Sequence, residues 1–420
     1  MGRVLEGIKV IEVSVWAYVP SAGTVLAEWG AEVIKIEPPD GDPMRGLVNA
    51  GVGAMEGISF PWELWNRGKK GLALDLTKPE AQEIVGRLCA DADVFLTSYL
   101  PGVRKKLGID IDAIRKWNPS IVYACGSGRG PAGDEADKGG YDSITFWSRG
   151  GVSAAATPPG YPRPVGMPAG AFGDSLSGSA LAGGVAAALV KKERTGEGSI
   201  VDGSLLGTAL WCMQMASVGG AVAMASSPEA ADAITNPPAA PPVPPGEFPR
   251  PAIFNPLVNN YRTSDGRWVA LCMLQPDRYF EGLVRAVGRG DMVGDPRFAT
   301  PEARASNGER IVDELEAAFA ELTFDEACAA LATQPGQWDV VNRPLDLLED
   351  PQAQANGFVQ EVDYGEGRSL PLFASPIQYD RTPPELTPAP GFCVDTDAIL
   401  ASIGMDEEAI LEAKIAGAVV

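Results

Sequence analysis

Short apolar runs alternate with amphipathic stretches through the first half of the chain. "GIKVIEV" (7–13) reads as a strand and "VPSAGTVLAEWG" (19–30) as a helix, opened by Pro20 and Ser21 and closed by Gly30. "AEVIKIE" (31–37) returns to a strand. Two strands joined by one helix in about 30 residues imply a parallel pair with a right-handed crossover. The alternation continues with strands at "GLALDL" (71–76), "DVFLTSY" (93–99) and "SIVYACGSG" (120–128). "KPEAQEIVGRLCADA" and "PGVRKKLGIDIDAIRKWNP" supply helical stretches between them. This pattern predicts a doubly wound α/β sheet. Ligands of such sheets gather at the carboxyl ends of the strands, here near Val15–Tyr18, Leu76–Lys78, Ser98–Tyr99 and Gly126–Gly130.

A long helix is predicted over 174–192, then a strand and another helix. Composition shifts at 225–257, where proline and alanine dominate, and this segment reads as a semi-rigid extended linker. "NNYRTSDGRWVALCM" (259–273) then reads as a hairpin turning at Ser-Asp-Gly, followed by helices near 276–287, 302–320 and 323–333. Strands return after about 348, and helices near 396–403 and 406–417 close the chain.

Composition narrows the chemistry. The 420-residue chain carries a formal net charge of −21, which argues against nucleic acid or an anionic membrane as a partner. The segment nearest to a membrane span is Ser175–Val190, whose small residues suggest a packed soluble helix instead. "MGRVLEGIKVIEV" lacks a signal-peptide pattern, so a cytoplasmic protein is expected. The six cysteines are scattered without a CxxC pair and read as buried free thiols. There is no histidine. That excludes Ser-His-Asp and Cys-His catalysis and His-ligated metal sites, and leaves carboxylate, Lys, Tyr or Cys as reactive groups.

One carboxylate stands out. In "AGAFGDSLSGSALAGGVAAALV" (169–190), Asp174 is the sole charge in a run of small apolar residues. It reads as a helix N-cap, as a covalent nucleophile, or as both. "KGGYDSI" (138–144) presents Tyr141 and Asp142 in a loop at a strand end. "GSGRG" (126–130) is a weak phosphate-loop signal and more simply a turn. Two basic clusters, Arg67/Lys69/Lys70 and Arg104/Lys105/Lys106, flank predicted strands and could hold a ligand bearing several phosphates. "LWCMQM" (210–215) suits either a bulky acyl group or simple core.

Taken together, "LEGIKVIEVS…GAEVIKIEPPDGDPMRG", "LDLTKPEAQEIVGRLCADADVFLTSYLPGVRKKLGI", "GYDSITFWSRGG", "AFGDSLSG…AALVKKERTGEGSIVDGSLL" and "NNYRTSDGRWVAL" resemble the class III CoA-transferase (CaiB–BaiF) family, in order and over nearly the whole chain. The resemblance implies a Rossmann-like large domain made from both chain ends, a smaller α+β domain, and an interlocked homodimer. The corresponding division is 1–224 for the first part of the large domain, 225–257 for the linker and 258–335 for the small domain. Residues 336–420 then supply the return linker and the rest of the large domain.

It also implies an acyl-CoA donor, a carboxylic acid acceptor, coenzyme A as carrier, no metal, and Asp174 as the nucleophile that passes through a mixed anhydride and an aspartyl-CoA thioester. CoA contacts carried over by position are Ala17, Tyr18, Leu74, Asp75, Leu76, Ser98, Tyr99, Leu100 and Lys106, joined by Lys138, Tyr141 and Asp142. Pro38 stands where the family often has a basic residue, so Lys69, Lys70 or Lys138 could take over phosphate binding. The family's racemases carry a histidine where this chain has Tyr141, and a glutamate where it has Gln275, which favours transfer over racemisation. A racemase-type isomerase and a non-catalytic CoA-binding scaffold remain the alternatives. The glycine-rich loop of formyl-CoA transferase is replaced here by "PPGEFPRPAIFNP" (244–256).

Overall fold

The computed structural model describes residues 3–50, 54–55, 57–235 and 255–420. Six parallel strands form the central sheet: β1 (Lys9–Val13), β2 (Glu32–Glu37), β3 (Lys70–Ala73), β4 (Val94–Thr97), β5 (Val122–Ser127) and β6 (Ile200–Ser204). Their order is β3-β2-β1-β4-β5-β6. Val10 of β1 lies in register with Val33 of β2 on one side and Val94 of β4 on the other. The order reverses between β1 and β4, and the crevice at their carboxyl ends is where ligands of such sheets bind.

Both faces of the sheet are covered, which is why its strands read as nearly continuous apolar runs. On one face Ile11, Ile34, Leu72, Phe95 and Tyr123 pack under the helix Pro79–Ala90 and the C-terminal helices Thr396–Ser402 and Glu407–Ile415. On the other, Val10, Val33, Val94, Leu96 and Val122 pack under α1 (Tyr18–Glu28) and α2 (Phe172–Thr195). Gly178 permits the approach of α2 to α1. A Cβ there would overlap Ser21 Oγ and come within 2.8 Å of the Tyr18 carbonyl oxygen.

The described residues divide into two compact units, one from those up to 235 together with 351–420, and one from 255–350. The second has its own core of Leu257, Tyr261, Phe280, Phe298, Leu315 and Phe319 beneath a three-stranded antiparallel sheet. Its hairpin pairs Val258–Arg262 with Trp268–Cys272, and the turn places Gly266 at φ +82°. The helix expected over 302–320 breaks at Asn307 into Pro301–Ser306 and Gly308–Ala320.

Several sequence expectations need correction. Residues assigned to the start of an extended linker are helical: α3 runs over Leu205–Ser226, and Pro228–Thr235 forms a further short helix. Residues 236–254 of that linker, with most of the "PPGEFPRPAIFNP" stretch, lie outside the described residues. Ser175–Val190 is not the most apolar helix. α3 is, being long and apolar enough to cross a membrane by length and composition. It buries only Leu205 and Ala209, while Trp211 is 73% and Met215 86% exposed, so "LWCMQM" is not core within one chain. The thiols are all free, but Cys212 and Cys272 are exposed.

Candidate active site

Asp174 is not the N-cap of α2. The helix starts earlier, at Phe172, with Ala171 in the left-handed region (φ +59°) as N-cap, so Asp174 is the third residue of the first turn. The capping role falls to Asp142 instead. This side chain, buried to 5% exposure, accepts a 2.9 Å hydrogen bond from the Gly173 amide and another from the amide of Asp174. Asp174 is thus an acidic residue of the first turn and not the residue that caps it. Gly173 is required at the crossing, since a Cβ there would meet Phe146 and Asp142.

Burial, and secondarily the neighbouring Asp142 carboxylate, push Asp174 up to about 7. Asp142 is itself raised by burial, against the lowering effect of the two amides. Buried polar atoms without a partner gather here: Tyr18 OH, Asp142 Oδ1, Thr145 Oγ1 and Ser177 Oγ. Such atoms are expected where a substrate or water completes the hydrogen bonding. Tyr18 and Ser177 also line a cavity of about 430 Å³ with Leu181, Asp202 and Trp211. Burial first, and the Asp174 charge second, raise the Tyr18 hydroxyl.

The structure brings part of the predicted set together at the β1/β4 crevice. Ala17 is the N-cap of α1 and Tyr18 its first residue. Ser98 Oγ accepts from the Val15 amide at 3.0 Å, tying the turn after β4 to the turn after β1. Ser21 Oγ donates to the Asp174 carbonyl at 3.3 Å, and Tyr141 stands 57% exposed beside Asp142. Tyr99 is half-buried against the core, and Leu100 caps the helix Pro101–Lys106, whose last turn carries an exposed Lys106.

Other members of the set lie apart or are engaged elsewhere. Leu74 and Leu76 are core side chains at the β3 end, where Leu74 bridges Val419. Asp75 caps its own turn by accepting from the Thr77 amide and hydroxyl. Lys138 is tied to Glu135 at 3.0 Å, a carboxylate that also receives Arg149 and Arg129.

The Arg67/Lys69/Lys70 cluster is not an anion site. Lys69 is fully buried, paired with Glu12 at 2.8 Å and bonded to the Pro20 and Trp65 carbonyls. Arg67 pairs with buried Glu28, and Lys70 with Glu32 on the adjacent strand. Arg104 turns inward, its Nη1 2.7 Å from Cys125 Sγ, which leaves Lys105 and Lys106 facing solvent. Two glycines of "GSGRG" sit at close approaches within the fold. Gly126 sits under Val19 and the Tyr18 ring, and Gly128 crosses Gly140.

Trp16 was not singled out in the sequence. It lies in the turn after β1 with φ +70°, in edge contact with Tyr141 (ring centroids 6.0 Å apart). A tryptophan in a strand-to-helix turn was the available signal. Its left-handed backbone had none.

Residues 5–396 match CoA-transferase family III. The chain belongs to that family. Among its relatives, (R)-2-hydroxy-4-methylpentanoate CoA-transferase of Clostridioides difficile is 33% identical over 414 residues, covering 97% of each chain. Cinnamoyl-CoA:phenyllactate CoA-transferase of Clostridium sporogenes is 29% identical over 413 residues, 98% of this chain and 96% of the relative. The crystal structure of a CAIB/BAIF family protein from Brucella suis superposes with a TM-score of 0.76 at 26% identity, covering 96% of this chain and all of the other. This family III CoA-transferase shares the α/β architecture of those structures, a six-stranded parallel sheet accompanied by small antiparallel ones.

Proposed function

We propose that this transferase moves CoA between carboxylic acids through Asp174. The observation that carries the reading is the division of labour on the first turn of α2, where Asp142 caps the amides and Asp174 is left unencumbered at the ligand crevice. An Asp174 oxygen attacks the carbonyl carbon of the donor thioester. The C–S bond breaks, CoA leaves as thiolate, and a mixed anhydride remains. The thiolate then attacks the aspartyl carbonyl, releasing the donor's carboxylate and leaving an aspartyl-CoA thioester. The acceptor carboxylate attacks that thioester, forming a second anhydride and freeing the thiolate again. Attack of the thiolate on the acceptor's acyl carbon gives the new CoA ester and restores Asp174. Each step exchanges one acyl bond for another, so protons and electrons balance without a redox partner.

An apolar monocarboxylic acyl group suits the surroundings. Phe172, Leu176, Tyr141 and Ile144 expose apolar surface on the two segments that meet at Asp174. The neighbouring charge that shifts Asp174 is a carboxylate, a poor environment for the free end of a dicarboxylate. The two relatives named for a branched and for aromatic acids agree with this. Ala17, Tyr18, Ser98 and Tyr99 border the CoA path in this reading, with Lys105 and Lys106 toward its phosphates. The exposed apolar side of α3 packs against a second copy in an interlocked homodimer.

A matrix of CoA donors (4-methylpentanoyl, cinnamoyl, acetyl, succinyl) against their free acids tests the function. Formation of the acceptor's CoA ester is expected. Solvent deuterium entering the alpha carbon without CoA exchange would favour the isomerase reading instead. That reading requires a second base beside Asp174, where the Asp142 carboxylate accepts the Gly173 amide through Oδ2.

A further inference from the structure

We propose that Trp16 is a specificity-determining residue of this transferase: with Tyr141 it forms an aromatic wall that selects aryl or branched acyl groups over small ones. The proposal rests on the reading of Asp174 as nucleophile and names what lies beside it.

Two backbone observations converge on this place. Of the six non-glycine residues with positive φ among those described, Trp16 and Ala171 pack in one apolar cluster with Ala17, Met44 and Trp62. Each stands at the entry to a helix that lines the crevice, Trp16 two residues before α1 and Ala171 just before α2. A left-handed conformation is unfavourable for a bulky side chain and persists only where its surroundings impose it.

Those surroundings are visible. Asp42 Oδ1 accepts from the Trp16 amide at 3.2 Å and from the Met44 amide at 2.9 Å. Asp42 Oδ2 pairs at 3.0 Å with Lys35, which is wholly buried and also bonds Glu12 and the Ser14 carbonyl. Glu12 in turn pairs with Lys69. Four buried charges, two of each sign, thus anchor the turn that carries Trp16. A buried network of this kind fixes geometry more than it adds stability. What it fixes here is the placement of one indole.

The indole is half-buried and meets the Tyr141 ring edge-on, at an interplanar angle of 86°. Tyr141 immediately precedes Asp142, whose carboxylate holds the Gly173 amide next to Asp174. One side of the pair is therefore tied to the β1 turn and the other to the nucleophile's own helix. Aromatic faces beside the reacting carboxyl favour flat or branched apolar groups by contact area and offer nothing to a free carboxylate.

Glycine tolerates the backbone that Trp16 adopts, so Trp16→Gly removes the ring without forcing the turn to change. Trp16→Phe keeps an aromatic ring. The measurement is kcat/KM for cinnamoyl-CoA and 4-methylpentanoyl-CoA relative to acetyl-CoA, each with its own free acid carrying an isotopic label so that exchange into the CoA ester is detected, read alongside the rate of hydroxylamine-trapped adduct at Asp174. Trp16→Gly is expected to lower the cinnamoyl-to-acetyl and methylpentanoyl-to-acetyl ratios about 10- to 100-fold, the scale of lost apolar contacts in a pocket. Trp16→Phe should retain most of each ratio. A ratio unchanged in Trp16→Gly, whether all rates fall together or none falls, overturns the proposal while leaving Asp174 as nucleophile. A wild type that forms no adduct with any of these donors overturns the nucleophile reading, and the wall with it.

Discussion

At the scale of single residues, the proposed chemistry rests on two aspartates, Asp142 at the amides of α2 and Asp174 as nucleophile. Asp174 was legible as an isolated carboxylate in a small-residue segment, and its sequence context suited an N-cap equally well. That ambiguity is resolved by Asp142, which reaches the helix from 31 positions upstream, a distance no local pattern encodes. Trp16 was illegible for a related reason. Its left-handed backbone goes with an amide hydrogen bond to distant Asp42, and tryptophan carries no intrinsic signal for that conformation. Lys69 was misread as a phosphate ligand because charge in a sequence does not reveal its partner, here Glu12.

Two outcomes follow at this scale. In the proposed mechanism Asp174 must be ionised, and its carboxyl is raised to about 7, so kcat/KM should rise with pH through about 7. Asp142→Asn keeps a capping oxygen and removes the second cause of that rise, so the limb of the pH–rate profile should move to lower pH. A limb that stays in place would separate Asp142 from the titration. Lys106→Ala should weaken binding of desulfo-CoA about tenfold to a hundredfold, the scale of a charge-assisted hydrogen bond, with less change in turnover. Calorimetry showing unchanged affinity would remove Lys106 from the CoA path.

At the scale of elements, the sheet was legible because both of its faces are buried and its strands are nearly continuous apolar runs. The strand order, β3-β2-β1-β4-β5-β6, depends on pairings between segments distant in sequence and emerged only from the fold. Helix boundaries were less legible. α2 begins two residues before the expected start because a left-handed alanine, not an aspartate, terminates the preceding chain. α2, which carries Asp174, packs on α1, and Gly178 is a point of close approach between them. Gly178→Ala would push a methyl group into Ser21 Oγ and toward the Tyr18 carbonyl. A loss of roughly 1–3 kcal/mol in chemical denaturation is expected, the range for overpacking, together with reduced transfer. Stability within error of wild type would show that the helices part without strain.

At the scale of the whole molecule, the family was legible from the order of its motifs, whereas assembly is a property that one chain does not display. The exposed side chains of α3 form an apolar surface of the kind that marks an interface. An interlocked dimer cannot dissociate without unfolding, so sedimentation at nanomolar concentration should still find a dimer. An active monomer under those conditions would contradict the interlocked assembly. The central claim is chemical, and one measurement meets it directly. Wild type and Asp174→Asn are incubated with 4-methylpentanoyl-CoA or cinnamoyl-CoA, treated with hydroxylamine and mapped by mass spectrometry, with the melting temperature of each recorded. Because the folded state raises Asp174 from 3.8 to about 7, its contribution to stability is fully present below about pH 4 and lost as pH rises through about 7. Neutral asparagine should therefore stabilise the fold at pH 8 by roughly 1–3 kcal/mol. The account predicts a hydroxamate at residue 174 in the wild type, and none in a variant that is folded, binds CoA and has lost several orders of magnitude of transfer. A folded Asp174→Asn protein that transfers CoA near the wild-type rate would contradict it.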